Sequence, residues 1–312
     1  MTSEPNGFLA PPGGPQSADE LLRGAIDLHH HGYPEFSFRC QTRLDDADEL
    51  AICRDAGMCA VVLKSHMWPT VGRAYLLGRL VPGIAVIPSI TLNTVVGGFS
   101  PIAVESAAEQ GARVLFMPTW SAANDIERGG FSRFMAGYLP QARSLASDGG
   151  LRVTDAAGKV LGEVKECLAV AAQYKMLVCT AHIAPRESIA LAGAAKEFGI
   201  DEIVFTHPDS KSVGANRDEI REMARLGAVY EFCINGFMPG IQRMSPSRAL
   251  EIVAEVGADK VVFTTDFFYE AEPPGAEMMR IILATMLRVG ASADDLRKMV
   301  KTNPERLLRR DA

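Results

Sequence analysis

The chain has 312 residues, 47% hydrophobic and 22% charged, which suits a globular enzyme with one large α/β domain or two small ones. Its 38 acidic residues outnumber its 32 basic ones, and the net charge of −6 excludes the basic face that a nucleic-acid backbone selects. No apolar run reaches the roughly 18 residues of a membrane span.

Residues 1–20 are rich in Pro, Gly and Ser and lack a charged start followed by an apolar core, so they read as a flexible tail and not a signal peptide. Cys40, Cys53, Cys59, Cys167, Cys179 and Cys233 show no C-x-x-C spacing and read as reduced thiols of a cytoplasmic protein.

From residue 21 onward one unit repeats: a helical stretch ending in Gly, an apolar run of four to seven residues, then a polar loop. The first strand is Gly24–Ala25–Ile26–Asp27–Leu28. Later strands follow Gly57, Gly83, Gly111, Gly199, Gly227 and Gly257, and another covers Leu177–Val178–Cys179–Thr180–Ala181. Glycine tolerates the left-handed backbone that ends a helix, so each such Gly marks a helix feeding a strand. The apolar runs are continuous, as in parallel strands buried on both faces.

Helical periodicity covers Glu163–Tyr174, Glu187–Phe198, Arg217–Leu226 and Arg248–Val256. Eight such units predict a single (β/α)8 TIM barrel over residues 21–312. An open doubly wound sheet competes, but no G-x-G-x-x-G follows the first strand. An excursion over about residues 121–161 leaves strand four. Leu151–Arg152–Val153 and Val160–Leu161 within it predict a small hairpin, as a lid over the mouth, an oligomer contact or plain decoration. The apolar Met278–Ala284 helix is a candidate interface of a homo-oligomer, or core cover.

All six histidines stand where a predicted strand stops. His29 and His31 are two apart on one strand and share a face, while His30 points elsewhere. Two imidazoles on a rigid strand end make a half-site for zinc or a similar divalent metal. Asp27 either orients a ligand or ties the strand down. His182 and His207 each close a later strand, and Asp266 ends Val262–Phe263–Thr264–Thr265–Asp266. A carboxylate there can bind metal and also accept a proton from metal-activated water.

The order H-x-H, His, His, Asp resembles the amidohydrolase superfamily of metal-dependent TIM-barrel hydrolases. The closing Asn303–Pro304–Glu305–Arg306–Leu307 is similar to that superfamily's N-P-x-R-L segment. The resemblance implies that His29, His31, His182 and Asp266 ligate metal, with His207 ligating a second ion or polarising the substrate. Strand four departs from it: Phe116–Met117–Pro118–Thr119–Trp120 offers neither the bridging Lys nor Glu of binuclear members, which puts a second metal in doubt.

Lys64 ends strand two and is expected either to hold a substrate carboxylate or, as a carbamate, to bridge two metals. His66, Glu231 and Asn235 are candidate substrate contacts, and Arg186 and Lys211 are candidates to read an anionic group. The expected activity is hydrolysis of a small cyclic amide, amide or lactone by metal-activated water. In it Asp266 is the general base, His207 and Lys64 assist, and one or two ions, zinc first, are the cofactor. The alternative is a metal-dependent non-oxidative decarboxylase or hydratase of a small carboxylate.

Overall fold

Eight short strands run parallel, in sequence order, around a barrel: β1 Ile26–His31, β2 Ala60–Lys64, β3 Ala85–Thr91, β4 Val114–Phe116, β5 Leu177–Cys179, β6 Val204–Phe205, β7 Val229–Cys233 and β8 Val261–Thr264. The structure is a computed structural model that describes residues 17–40, 42, 44–143 and 149–308. β8 returns to β1 through the parallel bridge of His30 with Phe267. His31 N–H donates to the Phe267 carbonyl at 3.2 Å, and Asp266 N–H to the His29 carbonyl at 2.8 Å. The result is the expected TIM barrel.

Every residue of β1, β2, β4, β5, β7 and β8 is buried, as continuous apolar runs require between a packed interior and a helical layer. β3 runs through Pro88 to Thr91, beyond the four residues expected after Gly83. Proline costs that strand one donor, while its carbonyl still accepts from Arg113 N–H at 3.0 Å. Gly57 and Gly227, with φ of +89° and +92°, make the helix-to-strand turns that a Cβ would strain.

Helices form at Gly162–Gln173, Pro185–Lys196, Arg217–Arg225 and Pro246–Val256, within two residues of the periodicity. Two starts are fixed by caps: Asn216 accepts from Asp218 and Glu219 N–H at 2.9 and 3.0 Å, and Ser245 from Arg248 N–H at 3.2 Å. Residues 1–16 of the expected tail lie outside the described residues. Ser17, at its end, instead caps the helix Ala18–Leu22, whose Leu21 and Leu22 are buried.

The Met278–Ala284 stretch covers core: Met278, Met279, Ile282 and Leu283 are buried within the helix Gly275–Arg288, and Ile281 is 45% exposed. Asn303 closes the chain against the barrel's lower end, its Nδ2 donating to the carbonyls of Ala258 and Val261 at 2.8 and 2.7 Å. Among the described residues no helix is long and apolar enough to cross a membrane.

The excursion after β4 is more helical than its Gly content suggests. It contains the helices Ala123–Glu127 and Phe131–Tyr138 before the chain reaches the small hairpin. That hairpin is a single antiparallel bridge, Thr154 with Val160, flanked by Leu161 N–H to Val153 O at 3.0 Å. Residues 144–148 lie outside the described residues. Met135 of the second helix packs with Phe36, Trp120 and Phe268 in a small apolar cluster of its own, against which Phe131 and Tyr138 also lie.

Candidate metal centre

β1 carries the centre of the site. The β1–β2 register shifts between Asp27 and His30, and Asp27 fixes the irregularity: its Oδ1 accepts from the N–H groups of His29 at 3.1 Å and Thr265 at 3.0 Å. Its Oδ2 lies 3.2 Å from Nδ1 of His30 and takes the Thr265 hydroxyl. Asp27 therefore ties β1 to the end of β8. His30 turns away and stacks on Phe267, with 5.2 Å between ring centroids.

On the opposite face His29 Nε2 and His31 Nε2 come within 3.2 Å of each other, and both face Asp266 Oδ1, at 3.1 and 3.3 Å. Asp266 and His207 both adopt left-handed backbone, with φ of +48° and +25°. Such conformations are strained outside glycine and persist where surrounding structure enforces them, here at strand ends that re-aim a side chain.

Carboxylates stand behind the imidazoles. Glu231 Oε1 lies 2.9 Å from His29 Nδ1 and also accepts from Thr264 Oγ1 at 2.8 Å. Asp125 Oδ1 lies 2.8 Å from His182 Nδ1. Glu35 Oε1 lies 2.8 Å from His66 Nδ1 and 3.5 Å from His31 Nδ1, and takes the His66 N–H as well. Partners on Nδ1 orient a ring and leave Nε2 for a cation. Asn235 Nδ2 donates to Asp266 Oδ2 at 2.7 Å and fixes that carboxylate from the other side.

The electrostatics favour a cation. Burial and then the nearby His31 push His66 down to about 3, and burial, with His182 next to it, holds His207 well below the usual imidazole range. Burial also lowers His182, against the pull of Asp125. These rings are neutral, the form a metal needs. Burial and Lys64 also oppose charge on His29, yet the carboxylates of Asp266 and Glu231 raise it to about 9. Lys64 Nζ lies 2.8 Å from His29 Nε2, so in the neutral ring that nitrogen has a donor, and in the charged ring Asp266 Oδ1 at 3.1 Å takes its proton. Burial would raise Asp266, but His29 and His31 keep it ionised, well below the carboxylate range.

A cavity opens over this cluster. Lys64, His66, His182, His207, Asn235 and Asp266 line it, so six sequence candidates share one space. His29 and His31 lie beneath, fully buried. His29, His31 and Asp266 offer ligand atoms within 4.8 Å of one another, as do His207, Cys233 and Asp266. His182 joins neither group and instead sits beside His207, with ring centroids 4.9 Å apart.

Two expectations need correction. Glu231 lines no cavity: it points inward from β7 and supports His29. Arg186 and Lys211 are exposed and lie outside the cavity lining, because each follows its strand by enough residues to reach the outer rim. Lys64 is fully buried on the Phe116 ring, its Nζ 4.8 Å from the centroid, and its hydrogen bond goes to His29.

Sequence reasoning missed Glu35, Asp125 and Arg243, together with the aromatic walls Phe131, Phe268 and Tyr269. None of these follows a strand directly, so strand-end logic has no purchase on them.

The residues fit a divalent metal. Imidazole nitrogens converge with one carboxylate oxygen, and ring nitrogens on the far side are held by buried carboxylates. Such a donor set suits zinc or a similar borderline ion better than calcium or magnesium, which take oxygen ligands.

A family model described as a family of unknown function, DUF6282, matches residues 24–231. The matched stretch contains all six histidines and Lys64 and ends before Asn235, Arg243 and Asp266. No curated protein matches the sequence. Among solved structures, a probable dipeptidase from Pseudomonas aeruginosa is similar at 12% identity, with a TM-score of 0.60 over 93% of this chain and 96% of that one. A phosphotriesterase homology protein from Escherichia coli, with phosphate in its active site, is similar at 13% identity, with a TM-score of 0.59 over 92% and 99%. An amidohydrolase from Pseudomonas aeruginosa is similar at 13% identity, with a TM-score of 0.53 over 94% and 98%. At these identities the likeness is one of fold, the parallel eight-stranded barrel.

Proposed function

Since the chain belongs to DUF6282, a family of unknown function, its chemistry must be read from its own side chains, and we propose that it is a metal-dependent hydrolase. Its substrate is a small cyclic amide, amide or lactone, cleaved at a C–N or C–O bond. The observation that carries this reading is the convergence of His29, His31 and Asp266 beneath a cavity that His182 and His207 line.

His29, His31 and Asp266 would hold the ion, with His182 and His207 alongside. A divalent metal there supplies Lewis acidity, lowering the pKa of water from 15.7 to about 7. Asp266 takes the proton of the attacking water and returns it to the leaving nitrogen or oxygen. Asn235 fixes that carboxylate before substrate arrives. Ser210 Oγ lies 3.0 Å from His207 Nδ1, and donation there leaves the ring proton on Nε2, where it steadies the developing oxyanion. Lys64 Nζ, 2.8 Å from His29 Nε2, occupies the space beside the first ion and so disfavours a second. One ion per chain follows.

Elemental analysis of the purified protein, paired with an amide and lactone panel before and after chelation, tests the reading. One zinc or similar ion per chain and chelator-sensitive hydrolysis are expected. A metal-free protein, or release of carbon dioxide from carboxylates with no amide or ester cleavage, would overturn it.

A further inference from the structure

Arg243 is the cavity residue whose placement calls for a ligand. It lies beyond the short helical turn Ile234–Phe237 that follows β7, and the chain folds back so that Arg243 N–H donates to the Gly236 carbonyl at 2.9 Å. The guanidinium then rests on Gly236: a Cβ there would lie 3.0 Å from both Cζ and Nε. Gln242, with φ of +32°, takes the strain of that return.

Two of the three guanidinium nitrogens are committed. Nε faces Asp209 Oδ2 at 3.3 Å, and Nη2 donates to Asn235 Oδ1 at 3.0 Å. Among the described residues no acceptor meets Nη1. Asn235 in turn holds Asp266, so the guanidinium stands two hydrogen bonds from the metal cluster.

The cavity holds few charged side chains. Arg243 and Lys64 line it as cations and Asp266 as the one anion, and that anion is committed to the imidazoles. Part of the lining is aromatic. Phe131 stacks on His66 at 4.5 Å and meets Phe268 edge-on at 5.5 Å, while Tyr269 stands perpendicular to Phe268 at 4.9 Å. Such walls receive a flat apolar group, and an arginine with an open N–H receives a carboxylate.

We propose that Arg243 is a specificity determinant and that the substrate carries a carboxylate close to the scissile amide or ester, with a planar apolar group against Phe131 and Phe268. The proposal rests on the hydrolase reading for the word substrate, but the binding preference does not require turnover.

The test is calorimetric titration of the metal-loaded protein with N-benzoylglycine and with its neutral amide, in wild type, Arg243→Lys and Arg243→Gln. Wild type should bind the acid at least tenfold tighter than the amide. Arg243→Gln keeps a donor toward Asn235 and should erase the preference, while Arg243→Lys should retain part of it. Equal affinity for acid and amide in wild type overturns the proposal, and so does an acid preference that survives Arg243→Gln. Gly236→Ala, which pushes the guanidinium away, should weaken the acid selectively, and equal weakening of both ligands also counts against it. A clear acid preference without cleavage of any amide or ester would retain the anion site and remove the hydrolase reading.

Discussion

Asp125 Oδ1 stands 2.8 Å from His182 Nδ1, a bond that joins the excursion after β4 to the end of β5. Asp125 also accepts from the N–H groups of Phe131 and Ser132, at 3.0 and 2.6 Å, so one carboxylate aims an imidazole and seats the helix that forms the aromatic wall. Burial would raise this carboxyl, yet His182 and those backbone donors hold it at about 2. Asp125→Asn should weaken metal binding by roughly 10- to 100-fold, the usual effect of losing a carboxylate behind a ligating histidine. Chelator competition measures it; unchanged affinity would remove His182 from the ligand set.

Asp266→Asn should leave the barrel folded and reduce turnover by roughly 10²- to 10⁴-fold, as expected for loss of a positioned proton acceptor. Circular dichroism with steady-state kinetics on a metal-loaded sample checks both halves. Near-normal turnover would end the general-base role.

Asp27→Ala should be a stability mutant first. It strips acceptors from the buried N–H groups of His29 and Thr265, from the Thr265 hydroxyl and from His30. At about 1–3 kcal/mol for each buried group left unsatisfied, a loss of about 3 kcal/mol or more is expected in urea unfolding. A shift under about 1 kcal/mol would mean that water replaces the carboxylate.

Glu272 gives a pH signature. Burial raises its carboxyl to about 7, although it accepts from the N–H groups of Phe268 and Tyr269, both at 2.9 Å. The folded state therefore holds this proton more tightly than the unfolded chain. The contribution is fully present below the unfolded pKa near 4.5 and is lost as pH rises through about 7, on the order of 3 kcal/mol. Glu272→Gln keeps the acceptor oxygen and removes the charge, so its Tm should exceed wild type at pH 8 and match it near pH 4.5. Equal Tm differences at both pH values would remove Glu272 as the source.

The barrel was legible because its signal repeats: an apolar run and a polar loop eight times over, with glycine before seven of the runs and Lys175, at φ +54°, in its place before β5. His29 and His31 were legible because strand alternation alone puts them on one face. Glu231 was misplaced because that same alternation says which side of β7 it faces, but not that His29 would cover it. Arg243 was invisible, since its position depends on a return over Gly236 that no periodicity encodes. Asp125 acts from a short helix of the excursion and Glu35 from a loop, where sequence distance says nothing about reach; they lie 57 and 31 positions from His182 and His66.

The barrel wall is uneven, and the unevenness falls under the site. β6 has two residues, and β5 meets it at one register pair, Cys179 with Val204, whereas β7 and β8 share four. His182 and His207 hang from that thin seam, and His29, His31 and Asp266 from the well-laced side. A cation gripped by His182 on one side and by His29, His31 and Asp266 on the other would act as a clasp across the gap. Amide hydrogens of residues 177–207 should then exchange much faster in chelator-treated protein, while those of β1 and β2 keep their pace.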